Sequence, residues 1–383
     1  MRKENWTYKK LGEVAYYPSK RIATKDLKSF SFVGVENLIK NKGGVSFSES
    51  LPNIDTAIEY QKDDILIGNI RPYLKKIWKA DNNGGASGDV VIVRINKEYA
   101  CLLDAKYLYK VLSTDYFFDY DNSNTKGAKM PRGDRKVIAK YIIPIPPLST
   151  QSRIVSELDL LQSIIDKQKT QLKELDNLAQ AIFYDMFGDP VENEKGWEVK
   201  TLNSVGTVAR GVSKHRPRNA PELLGDYMPF IQTGDIANSG MYITACQSGY
   251  SELGVEQSKI WHKGTLCITI AANIGKCSIM TFDACFPDSV VGFIADSSIT
   301  SVEFVLYYFH CIQQTLEDNA MGVAQKNINL GILNVMKIPV PPLSLQQSFA
   351  QKVEAIERQK ELINQSIREA QTLFDSRMEY YFG

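Results

Sequence analysis

Apolar side chains recur at alternating steps of four and three residues along two stretches of the chain, residues 148–188 and 343–383. Such spacing produces the a/d seam of a coiled coil, and it persists here beyond the three to four heptads that identify one. Before its final glycine, neither stretch contains glycine or proline. About 38 residues at ~1.5 Å each predict a rod on the order of 57 Å long. The apolar seam positions are Ile154, Leu158, Leu161, Ile165, Leu172, Leu175, Phe349, Val353, Ile356, Ile363, Ile367 and Phe374.

The two helical stretches belong to a sequence repeat. Residues 144–151 read PIPPLSTQ and residues 339–346 read PVPPLSLQ, which is identity at six of eight positions with an offset of 195. Because proline pairs cannot lie inside a helix, we expect Ser149 and Ser344 to be the N-cap residues of the helices that follow. The repeat predicts two copies of one unit, a globular domain followed by a long helix.

Shorter patterns in the globular parts also occur twice. Short apolar runs that predict buried strands lie at residues 64–67 and 89–93, with counterparts at 264–268 and 288–293. The sequence predicts an α/β (α+β) fold with two tandem mixed α/β domains. The predicted segments are a first domain at 1–147, a first helix at 148–188, a second domain at 189–342 and a second helix at 343–383.

Two rods with the same register in one chain are expected to pair with each other. The alternative is that each is an ordinary amphipathic helix packed on its own domain. The intervening domain makes parallel and antiparallel pairing both reachable, and a two-fold relation between the repeats would make the pairing antiparallel. Gln168, Lys360 and Arg377 interrupt the apolar seam. Polar seam residues either fix the register of a coiled coil or mark the place where a third helix docks.

Composition describes a folded protein without a membrane segment. The 383 residues are 44% hydrophobic, and no apolar run approaches the 18 residues that indicate a membrane span. With no apolar secretory region at the N-terminus, we expect a cytoplasmic protein. The six cysteines form no C-x-x-C pair and are expected to be buried thiols. The formal net charge of +1 neither supports nor excludes nucleic-acid binding.

Signatures of catalysis are missing from the sequence. Three histidines occur without metal-ligand spacing, and neither a phosphate-binding G-x-x-x-x-G-K-[ST] loop nor a G-x-S-x-G motif is present. Asp288 follows a proline as in some nuclease metal sites, but no acid-x-Lys follows it. The sequence therefore predicts a binding protein that holds no metal or cofactor of its own.

Local charge offers a signal of what such a protein binds, with a solvated charged loop as the alternative explanation of any single patch. Residues 126–136 carry five positive charges and one negative charge, and a second basic loop at 71–79 contains Tyr73 and Trp78. Lysine and arginine neutralise phosphates, whereas Arg, Asn and Gln read base edges. The candidate DNA-contacting residues are Arg71, Tyr73, Lys75, Lys76, Lys126, Lys129, Arg132, Arg135, Lys214, Arg216, Arg218, Asn273, Lys276, Gln325, Lys326 and Asn327.

Three features of the sequence resemble one known family. They are the repeated P-x-P-P-L-S-x-Q motif, the W-x4-L-x2-V opening of each half (Trp6 and Trp197) and the G-x-x-Q-K-N-I run at 322–328. This family is the specificity subunits of type I restriction-modification systems. The resemblance implies two target recognition domains that read a split, asymmetric site in double-stranded DNA. It implies that the two helices form an antiparallel coiled coil, a pseudo-two-fold arrangement that docks two methyltransferase subunits. The rest of the complex would then include restriction subunits. The partner subunits would use S-adenosylmethionine, ATP and Mg²⁺.

Two other functions remain open from the sequence. The chain could be a coiled-coil scaffold whose globular ends bind proteins, in which case binding would not respond to salt or DNA. It could also be a stand-alone DNA-modifying enzyme, such as a nuclease, which would act on DNA with Mg²⁺ alone.

Overall fold

The computed structural model describes residues 5–125, 130–215, 217, 220–271, 274–321 and 328–383. The chain forms two compact units. Unit 1 consists of Met1–Lys167 together with Ser366–Gly383, and unit 2 consists of Gln168–Gln365. Each unit therefore contains one globular domain and parts of both long helices.

Unit 1 contains two four-stranded sheets and one two-stranded ribbon. The first sheet has the order β2-β9-β6-β7 and is antiparallel, while β3-β5-β8-β4 contains one parallel pair, β4 with β8. The ribbon pairs β1 with β10. The strands are β1 Thr7–Lys10, β2 Ala15–Tyr16, β3 Arg21–Ala23, β4 Phe32–Val33, β5 Thr56–Tyr60, β6 Ile65–Gly68, β7 Ile77–Lys79, β8 Gly84–Ala86, β9 Val90–Ile95 and β10 Ile142–Ile145.

Two helices of unit 1, α2 (Ala105–Leu112) and α3 (Asp115–Ser123), begin at side-chain caps and pack on the first sheet. Asp104 caps the N-terminus of α2 and Thr114 caps α3, each accepting a hydrogen bond from a backbone N–H of the first turn. Tyr107 and Phe117 of these helices are fully buried in the same core as the apolar side chains of β6 and β9. The helices are α1 Leu11–Val14, α2 Ala105–Leu112, α3 Asp115–Ser123, α4 Arg135–Ile138 and the long α5 Leu148–Phe187.

Unit 2 repeats this plan with a longer first sheet. Its order is β12-β20-β17-β18-β14; the second sheet is β15-β13-β19-β16, and the ribbon pairs β11 with β21. The strands are β11 Glu198–Thr201, β12 Gly206–Arg210, β13 Leu224–Phe230, β14 Tyr242–Ile243, β15 Ser248–Tyr250, β16 Ile260–Trp261, β17 Leu266–Thr269, β18 Cys277–Met280, β19 Ala284–Cys285, β20 Val290–Ala295 and β21 Lys337–Val340. The helices are α6 Thr233–Asn238, α7 Glu252–Glu256, α8 Val302–Met321, α9 Leu330–Val335 and the long α10 Leu343–Phe382.

The predicted internal repeat is confirmed in the central strands of both units. In both units the runs predicted at 64–67 and 264–268 become central strands, β6 and β17, each paired on one side with the equivalent strand β9 or β20. A parallel pair, β4 with β8 and β13 with β19, also occurs in both second sheets. The mixed α/β fold class predicted from the sequence is therefore correct.

The long helices pack against each other within each unit. In unit 2, Phe349 near the start of α10 contacts Phe183 and Phe187 near the end of α5, and Lys360 further along α10 pairs with Asp176 earlier in α5. The start of α10 thus lies against the end of α5, and a later part of α10 lies against an earlier part of α5. The two helices are therefore antiparallel in this unit. In unit 1, Arg377 of α10 pairs with Glu157 of α5.

Burial along the seam is uneven. Seam residues next to a globular domain, such as Ile154 and Phe349, are fully buried, whereas Leu172, Leu175, Ile363 and Ile367 are half-buried. Lys360 and Arg377, which interrupt the apolar seam, each form an ion pair with the facing helix. Pairing of this kind is consistent with a role in fixing the register of the two helices.

Two local predictions were wrong. The helices begin at Leu148 and Leu343, so Ser149 and Ser344 lie in the first turn and are not N-caps. The cysteines, all of them free, are not uniformly buried, because Cys101 is exposed and Cys246 and Cys311 are half-buried. Among the helices of the described residues, none combines the length and apolar character needed to cross a bilayer.

Candidate nucleic-acid interface

Three loop segments of unit 1, residues 39–45, 69–76 and 130–135, are joined by backbone hydrogen bonds. The Lys42 N–H donates to the Lys75 carbonyl at 2.8 Å, and the Arg71 N–H donates to the Pro131 carbonyl at 2.8 Å. A third bond runs from the Gly133 N–H to the Asn69 carbonyl at 3.0 Å. We call these three segments the basic loop cluster. It brings together the predicted residues of two loops that lie far apart in the sequence.

A tight turn presents Tyr73 at the surface of this cluster. The turn, Pro72–Leu74, is flanked by Arg71 (φ 53°) and Lys75 (φ 50°), both in the left-handed region. A non-glycine residue in this region costs roughly 1–2 kcal/mol, so neighbouring contacts have to hold the turn in place. The Leu74 carbonyl accepts such a contact from the Asn41 N–H at 2.8 Å. Tyr73 itself is 50% exposed.

Acidic side chains accompany several cations of the cluster. Lys42 and Lys75 both donate to Oδ1 of Asp115, at 2.7 and 2.9 Å. Arg132 lies 3.3 Å from the carboxylate of Asp89. Burial acts to raise the pKa of Asp115, but the hydrogen bonds from the two lysines outweigh it and leave the pKa below its usual value. The cluster is therefore a mixed charged surface in which Lys42, Lys75 and Arg132 each lie against a carboxylate.

Two other predicted residues form bonds that hold the loops to the domain. Lys76 donates from Nζ to the Val35 carbonyl at 2.6 Å, and burial lowers its pKa although the carboxylate of Glu36 opposes that shift. Arg135 donates to the Gly88 carbonyl at 3.0 Å. These side chains support the loop framework, whereas Arg71 and Tyr73 are exposed.

A buried carboxyl group lies beneath the cluster. Asp121 is 1% exposed, and within the described part of the chain neither of its oxygens nor Oδ1 of Asn69 has a hydrogen-bond partner. A Cβ at position 133 would come within 2.6 Å of Asp121 Oδ1 and 2.9 Å of Asn69 Oδ1, so a larger residue there would force these side chains to move. Burial raises the pKa of Asp121 to about 6.

Half of the predicted contact residues lie outside the described residues. These are Lys126, Lys129, Arg216, Arg218, Asn273, Gln325, Lys326 and Asn327. In unit 2, Lys276 lies in the loop between β17 and β18, the counterpart of the basic turn between β6 and β7 in unit 1. It is exposed and lines a cleft of about 310 Å³ that also contains His310 and Lys360. Lys214 is exposed on the segment between β12 and β13.

Sequence reasoning missed two glutamines that anchor the long helices. Gln151 is fully buried; its Oε1 accepts from the Asp104 N–H at 2.9 Å, and its Nε2 donates to the carbonyls of Leu102 and Pro146, both at 2.7 Å. Gln346, at the equivalent position of the repeat, makes the same pattern of bonds around Ser301 and Pro341. The final glutamine of the repeated P-x-P-P-L-S-x-Q motif was the available signal.

An apolar groove runs between the two helices in unit 2. Its volume is about 570 Å³, and it is lined by Leu175, Leu178, Leu362 and Ile363 together with the polar Gln171, Glu174 and Gln359. Leu362 is 67% exposed and Leu178 is 48% exposed. These leucines line one groove, so they form a continuous apolar strip on the surface of the helix pair.

Comparison with known proteins identifies the family of this chain. Residues 3–177 and 194–372 match the family described as "Type I restriction modification DNA specificity domain". The chain belongs to this family. The two matched regions correspond to the two copies of the repeat, so this chain carries two specificity domains. The resemblance inferred from its sequence motifs is confirmed.

Relatives of these specificity domains come from bacteria and archaea. The chain is 28% identical over 438 residues to the HindI specificity subunit of Haemophilus influenzae, which covers 92% of this chain and 93% of the relative. It is 24% identical over 227 residues to the putative MjaX specificity subunit of Methanocaldococcus jannaschii, covering 56% and 52%. The EcoDI subunit of Escherichia coli is 25% identical over 190 residues, covering 48% and 41%. The match thus spans about half the length of the last two relatives.

Solved structures share the fold of these specificity domains. One comes from work on complex assembly and conformational transition of the type I R-M system; it has a TM-score of 0.62 at 20% identity and covers 99% of this chain and 98% of its own. The S subunit of a type I system from M. genitalium has a TM-score of 0.58 at 12% identity, covering 99% and 96%. At these identities the likeness shows the fold alone.

Within the described residues, no group of three or more His, Cys, Asp or Glu side chains is arranged to hold a metal ion.

Proposed function

We propose that this chain is the DNA sequence-specificity subunit of a type I restriction-modification complex. The observation that carries the proposal is the repeated specificity domain, whose first copy presents an ordered basic loop cluster at its surface. Each domain reads one half of a bipartite, asymmetric site in double-stranded DNA. Cations of the loops contact phosphates, which fix position, while exposed groups such as Arg71 and Tyr73 meet base edges.

Two methyltransferase subunits bind the same chain through its long helices. Support comes from the groove around Leu178 and Leu362, where leucines are exposed on a helix surface that the chain itself leaves uncovered. Restriction subunits complete the complex. S-adenosylmethionine, ATP and Mg²⁺ serve the partner subunits, whose chemistry this chain directs to a site.

The recognition role is tested by single-molecule mapping of modified adenines in a host that carries this gene with its neighbouring methyltransferase gene. We expect a split motif with one modified adenine on each strand, lost when the gene for this chain is deleted. A motif that persists after the deletion would assign recognition to another protein. A scaffold with protein-binding ends would instead leave no motif that depends on this chain and no salt-sensitive binding of DNA by the complex.

The docking surface is tested by Leu362→Glu. A carboxylate in the groove would have to lose its hydration on docking, so the variant should fail to co-purify with the methyltransferase subunit while unfolding at the wild-type temperature. Leu253→Glu is the matched control, since Leu253 is a 51% exposed leucine on the short helix α7. Equal recovery of the methyltransferase with both variants would place docking elsewhere.

A further inference from the structure

A single carboxylate connects two cations of the basic loop cluster. Oδ1 of Asp115 accepts from Lys42 at 2.7 Å and from Lys75 at 2.9 Å, and these lysines come from two different loops. Asp115 is the first residue of α3, a helix held in the core by the fully buried Phe117 and Phe118. The acceptor is therefore fixed to a packed helix, whereas both donors belong to loops.

The location of this triad places it where DNA is expected to approach. The Asp115 side chain is 60% exposed, and those of Lys42 and Lys75 are 33% and 29% exposed. Surface ion pairs of this kind add little to stability, so a contribution to folding does not explain the arrangement of Lys42, Lys75 and Asp115. A carboxylate and a phosphate offer lysine the same kind of acceptor. Asp115 thus gives the two lysines an acceptor of the same kind as a DNA phosphate oxygen.

We propose that Asp115 is a specificity-determining residue of the first recognition domain, an inference that rests on the DNA-binding function proposed above. Its carboxylate competes with phosphates for Lys42 and Lys75. DNA that offers phosphates alone binds poorly, because it has to displace an acceptor that is already in place. A cognate half-site adds base contacts to the neighbouring turn and overcomes that competition. The same carboxylate holds both ammonium groups beside the turn, so that the domain meets cognate DNA with its lysines ordered.

The test is Asp115→Asn in the assembled complex with its methyltransferase subunits, measured on a duplex containing the mapped motif and on a scrambled duplex. One additional phosphate contact is worth about a fivefold gain in affinity near 0.15 M salt. We therefore expect scrambled DNA to bind about 5- to 30-fold more tightly, with a salt slope steeper by about 0.9 to 1.8. Cognate DNA should gain less, because the lysines are no longer ordered, so the ratio of cognate to scrambled affinity should fall.

Asp119→Asn is the matched control. It removes the same charge from the same helix, and Asp119 is exposed and forms no ion pair within the described residues. Asp115→Glu keeps a carboxylate and should restore most of the wild-type ratio. If Asp115→Asn and Asp119→Asn gave the same scrambled-DNA affinity and the same salt slope, the inference would be overturned. A wild-type complex with no preference for the mapped motif would instead refute the proposed function itself.

Discussion

At the residue scale, the buried glutamines show most clearly what a sequence pattern conveys and what it omits. The repeat marks position 346 as significant, but only the structure shows that its amide bonds the backbone before α8 and the turn before α10. Replacing Gln346 with leucine leaves several buried polar groups without partners. At ~1–3 kcal/mol for each such group, we expect the variant to lose about 3 kcal/mol of unfolding free energy.

Denaturant unfolding followed by circular dichroism measures this loss. Gln347→Leu is the control, because the neighbouring glutamine is exposed and the chemical change is the same. If the two variants unfolded at the same denaturant concentration, the bonds of Gln346 would have no net effect on stability.

A second residue, Asp121, is expected to make stability depend on pH. Burial raises the pKa of this carboxyl to about 6 from an unfolded value of 3.8. The folded state therefore binds more protons than the unfolded state between these values, and stability falls as the pH rises through this window. Asp121→Asn removes the buried charge, so it should stabilise the protein by roughly 3 kcal/mol at pH 8 and give no such gain at pH 4.

Chemical unfolding at both pH values distinguishes this effect from a simple change of packing. A variant equally altered at pH 4 and pH 8 would show that Asp121 does not titrate in this range. Asp119→Asn, at an exposed position of the same helix, should leave the pH profile of the wild type unchanged.

At the element scale, period alone was enough to predict both long helices, but not where their seam is buried. The a/d pattern treats Leu172 and Phe349 alike, whereas the first is half-buried and the second is fully buried. The difference arises because the ends of the helices pack on globular domains, and heptad spacing carries no information about such contacts. The basic loops could be predicted from local composition. Their ion pairs with Asp115 and Asp89 could not be predicted, because these residues lie far from the loops in the sequence and meet them only in the folded chain.

The aromatic cluster around Phe349 is expected to dominate the stability of unit 2 at this helix junction. Phe349 contacts Phe183, Phe187 and Tyr307 at ring-centroid distances of 5.5, 5.3 and 5.0 Å. Phe349→Ala should cost about 3–5 kcal/mol of unfolding free energy, because the cavity lies among packed rings. Leu373→Ala, at a 50% exposed position on the same helix, should cost less than 1 kcal/mol. Similar unfolding midpoints for the two variants would refute this role of the cluster.

At the scale of the whole molecule, the repeat predicts that the two recognition domains are interchangeable parts. The bonds of Gln151 explain how this exchange is possible. Among the described residues its side chain bonds backbone groups alone, namely the Asp104 N–H and the carbonyls of Leu102 and Pro146. A domain of different sequence can provide the same backbone groups. The loops that differ between the units can therefore change while the junction with the helix is kept.

Exchange of residues 1–147 for the corresponding domain of another specificity subunit should change one half of the recognised site and leave the other half intact. The junction before Leu148 keeps Gln151 and both long helices native, so assembly with the methyltransferase subunits should persist. Mapping of modified adenines in a host carrying the hybrid measures both halves at once, and the parental gene in the same host is the control. An unchanged motif would mean that residues 1–147 do not read DNA. A motif altered in both halves would mean that recognition is not divided between the two domains. A motif in which one half changes and the other half stays as in the parent follows only if each domain reads its own half-site.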